Sequence, residues 1–211
     1  MPLLGKLEQK EHIIWDWNGT ILDDVDYAIG VINNLLEKQS LPQLTRDTYK
    51  NVFGFPIKDF YDRLGFDYNL QSFEDLCHEF VEQYMSGVNS CQPVAKIEAT
   101  LQSIKASGKK QSVLSATAQP DLDIMIEHFA YADLFDHVYG IDNKLAASKV
   151  ERGKELLSVA AVPAANTVLI GDTLHDLEVG EALGIDVILI THGHHCHKKL
   201  SAQHEHVLSI A

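Results

Sequence analysis

The amino-acid sequence predicts an α/β fold with a doubly wound parallel sheet and an inserted α-helical block. Three observations support this prediction. An apolar run at residues 12–17 stops at Asn18-Gly19, a pair that favours a turn. The following segment has apolar residues at helical spacing and contains no convincing strand. After Pro93, short runs rich in Val, Ile and Leu alternate with helical patterns, as in repeated β–α units.

The elements follow in order along the chain. The first strand is expected at residues 12–17, and the helical block at about 23–90. Past it, strands are predicted at residues 111–114, 137–140, 167–170 and 187–190, and helices at residues 94–107, 120–129, 149–159 and 174–183. Gly108 and Gly184 follow two of these helices as C-caps. We therefore expect a core of residues 1–21 and 91–211, interrupted by a helical domain at 22–90.

Composition narrows the possible partners and location. The 211 residues include 45% hydrophobic ones, enough for a packed core, and carry 17 Lys+Arg against 30 Asp+Glu, a net charge of -13. Such a surface disfavours nucleic acid and anionic membranes. The chain shows no apolar stretch typical of a signal peptide or a membrane span, and its three cysteines form no CxxC pair. We expect a cytoplasmic protein without nucleic-acid or membrane partners.

Polar residues follow three of the predicted strands. The first strand leads into Asp16, Asn18, Gly19 and Thr20, the second into Ser115 and Ala116, and the strand at 167–170 into Asp172, with Asp176 one helical turn later. Ser148 and Lys149 precede or open a further helix. Ligands bind outside the carboxyl ends of the strands in such sheets, so these side chains should converge on one rim.

This residue set suits a divalent cation and a phosphate. Carboxylates held together repel unless a cation lies between them, and Mg²⁺ prefers carboxylates, waters and phosphate oxygens. Asp16, Asp172 and the Asn18 carbonyl would bind the cation directly. Asp176 would orient a water molecule bound to the cation. Phosphate contacts are expected from Gly19, Thr20, Ser115, Ala116 and Lys149. The second oxygen of Asp16 would then face phosphorus for nucleophilic attack.

These residues resemble the four motifs of the haloacid dehalogenase superfamily. The first motif, DxDGT after an apolar strand, is similar to Asp16-Trp17-Asn18-Gly19-Thr20; Ser115 and Lys149 match the second and third, and Gly171, Asp172 and Asp176 match the fourth, GDxxxD. The resemblance implies a Rossmann-like core, a helical cap as in phosphoglycolate phosphatase-like members, and Mg²⁺. It also implies hydrolysis of a small phosphorylated metabolite through a phosphoaspartyl intermediate on Asp16.

Asn18 departs from the family pattern, which usually has an aspartate there as general acid and base. An amide performs neither proton transfer, which typically contributes about 10²–10⁴-fold. Two alternatives therefore stay open: a low-turnover phosphate-binding or regulatory protein, and an enzyme similar to phosphonoacetaldehyde hydrolases, in which Lys58 would form a Schiff base.

Simpler interpretations exist for individual residues. Lys149 could be a solvated lysine, and Asp172 could serve only as the N-cap of the following helix. His192, His194, His195 and His197 have spacings compatible with zinc, but a polar loop after the last strand is the preferred interpretation.

Overall fold

The computed structural model describes residues 2–141 and 149–209. Its strands are β1 (His12–Trp15), β2 (Leu22–Asp23), β3 (Gln92–Pro93), β4 (Lys110–Ala118), β5 (His137–Ile141), β6 (Thr167–Gly171), β7 (Asp186–Ile190) and β8 (Val207–Leu208). Its α-helices are α1 (Pro2–Lys6), α2 (Val25–Lys38), α3 (Arg46–Val52), α4 (Ile57–Leu64), α5 (Phe73–Gly87), α6 (Ile97–Ala106), α7 (Gln119–His128), α8 (Lys149–Ala160), α9 (Leu174–Leu183) and α10 (His197–Ser201).

Six strands form one parallel sheet in the order β5-β4-β1-β6-β7-β8. Every residue of β1 and β6 is buried, which fits their apolar composition and requires cover on both faces. Successive residues of β1 provide it: Ile13 and Trp15 pack into one apolar cluster and Ile14 into another on the opposite face. The predicted doubly wound α/β fold is confirmed.

Helices α2–α5 form the helical block, which has a hydrophobic cluster of its own. The chain leaves the core through β2 and returns through β3, and these strands pair antiparallel, with Leu22 opposite Pro93. The short ribbon ties both ends of the insertion together at the rim where β1 ends. The helical block therefore lies against the expected site rather than at the far edge of the sheet.

The structure extends or adds several elements. The strand expected at 111–114 continues to Ala118, because Ala118 still pairs with Ile141 of β5 beyond a register shift. Helices α1, α3 and α10 and strands β2, β3 and β8 are new, and each is seven residues or shorter. Elements of this length show too few turns or alternations for a periodic signal. None of the helices in the described residues is both long and apolar enough to cross a membrane.

Candidate active site

The carboxyl ends of three adjacent strands carry the predicted site residues. Asp16 follows β1, Ser115 lies in β4 beyond the last residue paired with β1, and Asp172 follows β6. Because β4, β1 and β6 are neighbours in the sheet, these side chains share one rim.

Three acids and a lysine form the centre of this rim. Carboxylate oxygens of Asp16, Asp172 and Asp176 all lie within 4.8 Å of one another, and all three residues are buried. The Lys149 ammonium donates to Asp16 Oδ1 at 2.5 Å and to Asp176 Oδ1 at 2.6 Å. Three carboxylates against one ammonium leave an excess of negative charge in a buried place. This donor set fits a hard divalent cation such as Mg²⁺.

The same crowding shifts the pKa values of the acids. Burial, reinforced by Asp176 and Asp172, raises the pKa of Asp16 to about 8 although Lys149 opposes the shift. Burial also raises the pKa of Asp172 to about 6. A cation between these carboxylates would favour their ionised forms.

Lys149 and Asp176 keep opposite charges. Burial disfavours the charged form of both, but Lys149 holds the pKa of Asp176 below its usual value, and Asp16 and Asp176 raise that of Lys149. Lys149 is only 3% exposed, so its interpretation as a solvated lysine is wrong. Ser148, the neighbour named with it, lies outside the described residues.

Local structure at the start of α9 fixes Asp176. Thr173, not Asp172, is the N-cap of this helix, and it forms a capping box with Asp176. The Thr173 backbone N–H and hydroxyl donate to Asp176 Oδ2 at 3.0 and 2.7 Å. A Cβ at Gly171 would come within 2.2 Å of Asp176 Cγ, so the close approach of this turn requires glycine. Asp172 is thereby released from helix capping.

The Asn18-Gly19-Thr20 turn packs directly against Asp172. Thr20 Oγ1 donates to Asp172 Oδ1 at 3.0 Å. Gly19 has φ +72°, and a Cβ there would come within 2.6 Å of Asp172 Oδ2. Both features bring the backbone of the turn close to the acid cluster.

The backbone amides of Gly19 and Thr20 are already used inside the protein. Gly19 N donates to Leu22 O at 2.9 Å and to Asp24 Oδ1 at 2.7 Å, and Thr20 N donates to Trp17 O at 3.2 Å. In this conformation both amides donate to groups of the protein, so phosphate binding by Gly19 and Thr20 stays a prediction. Both residues shape the rim. Ser115 keeps a hydroxyl proton to donate, because its Oγ accepts a bond from Thr117 N at 3.1 Å. Ala116 is half-buried beside it.

The Asn18 side chain belongs to a second network of hydrogen bonds. Its Nδ2 donates to Asp24 Oδ2 at 3.2 Å and to the Tyr84 hydroxyl at 2.7 Å, and its Oδ1 accepts from Thr117 Oγ1 at 2.8 Å. Tyr84 belongs to α5 of the helical block and donates to Asp24 Oδ2 at 2.5 Å.

His194 completes this network. Its Nε2 lies 3.4 Å from Asp24 Oδ1, and its Nδ1 lies 2.9 Å from the hydroxyl of Tyr49 on α3. Burial disfavours the imidazolium, but Asp24 outweighs burial and raises the pKa of His194 to about 9. His194 in turn holds the pKa of Asp24 below its usual value despite burial. Sequence reasoning missed Asp24, Tyr49 and Tyr84, since nothing in the pattern separates buried Asp24 from exposed Asp23.

The histidine-rich segment begins as the polar loop expected from the sequence, but two of its histidines are buried. His194 and His195 are buried, and His195 bonds to Leu174 N at 3.1 Å and Phe53 O at 3.0 Å. The strand before it is also not the last, since β8 follows and pairs with β7. Within residues 2–141 and 149–209, the acid cluster is the one group of three or more His, Cys, Asp or Glu side chains with metal-binding spacing, and no loop histidine belongs to it.

Comparison with known proteins identifies the family to which this chain is similar. Residues 13–190 match the family described as haloacid dehalogenase-like hydrolase. Phosphoglycolate phosphatases of Caulobacter vibrioides and Psychrobacter arcticus are 24% and 23% identical, covering 86% and 88% of this chain and 79% and 85% of theirs. A haloacid dehalogenase-like hydrolase of Streptococcus pneumoniae has the same fold, with a TM-score of 0.82 at 17% identity and coverage of 96% of this chain and 95% of that one.

Proposed function

This chain belongs to the haloacid dehalogenase-like hydrolase family, and we propose that it hydrolyses the phosphate monoester of a small metabolite through Asp16. The resemblance inferred from the four motifs is confirmed, and with it the prediction of a hydrolase. The observation that carries the proposal is the buried cluster of Asp16, Asp172, Asp176 and Lys149. Its excess negative charge suits a cation and, through it, a phosphate.

Asp16 is the proposed nucleophile. Lys149 binds its Oδ1, which leaves Oδ2 to attack phosphorus. The new Asp16–phosphorus bond replaces the bond to the leaving oxygen, and water then releases inorganic phosphate and regenerates the carboxylate. Ser115 and Lys149 supply donors for the phosphoryl oxygens.

Asp16, Asp172 and the backbone carbonyl of Asn18 are the proposed Mg²⁺ ligands. Asp176 accepts from Lys149 through one oxygen and from Thr173 through the other, and we propose that it orients the groups around the cation. When bound, Mg²⁺ neutralises phosphoryl charge and lowers the barrier to attack.

Helices α2–α5 are the proposed cap, within residues 22–90. Asp16 is 7% exposed and Ser115 is 1% exposed, so the substrate reaches them only when the helical block moves. Closure over the site excludes water and limits the substrate to a small molecule. We further propose a cytoplasmic location without nucleic-acid partners, which the net charge of -13 and three free cysteines support.

Asn18 favours a second candidate, a phosphate-binding or regulatory protein with low turnover. The amide N–H groups are too weakly acidic to protonate the leaving group, so esters with good leaving groups should be cleaved fastest. The phosphonoacetaldehyde hydrolase-like alternative receives no such support. Lys58 is exposed and its ammonium pairs with Asp62 at 3.0 Å, a poor setting for the unprotonated amine of a Schiff base.

Hydrolysis of p-nitrophenyl phosphate and acetyl phosphate tests the proposal, with Mg²⁺ and then with chelator. We expect Mg²⁺-dependent phosphate release that falls more than about 10⁴-fold in Asp16→Asn, the loss typical of a removed nucleophile. Turnover that survives in this variant would refute the mechanism. If neither protein releases phosphate, intact mass decides: a phosphoryl adduct on the natural chain alone indicates arrest at the intermediate, and no adduct favours the binding role.

A further inference from the structure

We propose that Asp24 is a positioning residue that fixes the Asn18 turn and that its carboxylate is the reason position 18 holds an amide. The carboxylate usual at the second position of this motif has a counterpart six residues further along the chain. The expected effect on the rate of hydrolysis rests on the proposed function. The role of Asp24 in fixing the turn does not.

Asp24 accepts hydrogen bonds from two residues of the turn and from the helical block. Its Oδ1 accepts from Gly19 N at 2.7 Å and lies 3.4 Å from His194 Nε2. Its Oδ2 accepts from Asn18 Nδ2 at 3.2 Å and from Tyr84 OH at 2.5 Å. With 1% exposure, Asp24 has no water to replace these donors. A buried carboxylate is stable only when such donors are present.

Each polar atom of the Asn18 side chain has a hydrogen-bond partner in this arrangement. Its NH₂ group supplies the two donors that Asp24 and Tyr84 accept, and its oxygen accepts from Thr117. A carboxylate at position 18 would still accept from Thr117. In the natural chain, however, Tyr84 accepts from Asn18 and donates its single hydroxyl proton to Asp24. The carboxylate would have no proton for Asp24, and two buried carboxylates would face each other where the amide contact is now 3.2 Å.

The contact also links the helical block to the catalytic strand. Tyr84 of α5 bonds to both Asn18 and Asp24, and Tyr49 of α3 bonds to His194, which pairs with Asp24. Asn18 lies two residues after Asp16, so a displacement of this turn displaces the nucleophile and the Asn18 carbonyl. Closure of the helical block and the shape of the turn are thereby coupled through Asp24.

The consequence is that Asn18→Asp alone is not a clean restoration of the family's proton carrier. The matching change is the exchange Asn18→Asp with Asp24→Asn. In the exchanged pair, the NH₂ group of position 24 faces the new carboxylate, Tyr84 donates to it, and the oxygen of position 24 still accepts from Gly19 N. The exchanged network therefore has the same complement of donors and acceptors with the acid at position 18, while His194 faces an amide oxygen in place of a carboxylate.

Urea unfolding in chelator tests the structural part on four full-length proteins: the natural chain, each single variant and the exchanged pair. We expect both single variants to lower the urea midpoint and the exchanged pair to recover at least half of their summed loss. Asp23→Asn is the matched control, because Asp23 is exposed and should leave the midpoint unchanged. Single variants that do not fold beside a folded exchanged pair support the proposal as well.

Additive losses, an exchanged pair that does not fold, or an unperturbed Asn18→Asp would each overturn the proposal. The rate of hydrolysis is a second measurement, which a change in packing alone would not raise. With Mg²⁺, the exchanged pair should hydrolyse phenyl phosphate about 10-fold or more faster than the natural chain, and p-nitrophenyl phosphate with a smaller gain, because its better leaving group needs less protonation. A recovered midpoint with no hydrolysis by any of the four proteins would leave Asp24 as the positioning residue and refute the proposed function instead.

Discussion

Two buried charged clusters adjoin the turn after β1, and they differ in charge balance. The acid cluster of Asp16, Asp172 and Asp176 has three carboxylates for one ammonium, that of Lys149. The Asn18 network has one carboxylate, Asp24, paired with a histidine whose pKa is raised to about 9 and surrounded by neutral donors. The first cluster is balanced only by further positive charge, from a proton or a cation, whereas His194 balances the second.

The acid cluster has the charge of a ligand-binding site, whereas the Asn18 network has that of a structural support. The two are only a few residues apart in the chain. A buried cluster with uncompensated charge is costly in the free protein, and that cost is characteristic of places where a charged ligand binds. A balanced cluster whose polar atoms all have partners stabilises one geometry. Asp16 and Asn18 lie two residues apart, yet one belongs to each kind of cluster.

Removing the cation of the unbalanced cluster should give the largest effect. Lys149→Met leaves Asp16 and Asp176 buried without an ammonium, and we expect a loss of about 3–5 kcal/mol in the free energy of unfolding. Urea unfolding in chelator measures it. Lys154→Met is the control, because Lys154 pairs with Glu151 at the surface and should cost less than about 1 kcal/mol. Equal losses of unfolding free energy in the two variants would contradict the uncompensated negative charge of the acid cluster.

The pH dependence of stability should differ with and without Mg²⁺. The pKa of Asp16, about 8, and that of His194, about 9, are both above their unfolded values. Between pH 7 and 8.5 the native state therefore binds more protons than the unfolded chain. Stability in chelator should fall as the pH rises through this window, by at most about 1.4 kcal/mol per pH unit for each group.

Saturating Mg²⁺ should remove the contribution of Asp16 to the fall in stability with pH, because the cation replaces the proton on its carboxylate. Asp16→Asn should remove the same contribution without Mg²⁺, and in both cases the contribution of His194 remains. Chemical unfolding at several pH values measures these slopes. A slope that is identical with Mg²⁺, with chelator and in Asp16→Asn would contradict the charge imbalance.

The contacts between the helical block and the core should have a smaller and more local effect. Lys199 of α10 donates to Phe53 O at 2.5 Å and to Asn51 O at 3.4 Å, at the end of α3. Lys199→Met should make the backbone amides of α3 exchange hydrogen roughly tenfold faster, since charged hydrogen bonds contribute about 1.5 kcal/mol or more. Hydrogen exchange by mass spectrometry measures it, with Lys198→Met as the exposed control. Unchanged exchange in α3 would show that Lys199 does not hold the block closed.

An exposed ion pair should have the smallest effect and provides a reference for both clusters. Lys58 pairs with Asp62 in the helical block, where both side chains are about half exposed. Lys58→Ala should change the free energy of unfolding by less than about 1 kcal/mol and leave phosphate release unchanged. Loss of activity in this variant would revive a Schiff-base role for Lys58.

The sequence by itself determined the order of the sheet-forming elements and the rim that bears the acids. Short runs of Val, Leu and Ile predict strands buried on both faces, and parallel strands with crossover helices bring their carboxyl ends to one edge. Asp16, Asp172 and Asp176 could be assigned to one place because each is fixed by a strand end or by the first turn of the helix after it. These are local rules, so local sequence was sufficient.

Only the tertiary structure decided which polar residues meet across the boundary with the helical block. Asp23 and Asp24 are alike in sequence, but Asp23 is exposed while Asp24 is buried between Gly19, Asn18, Tyr84 and His194. His194 and His195 in the loop after β7 are buried because α3 and the residue that follows it pack on them. The angle at which a helical block docks depends on contacts between segments more than 100 residues apart, and helical periodicity does not encode it.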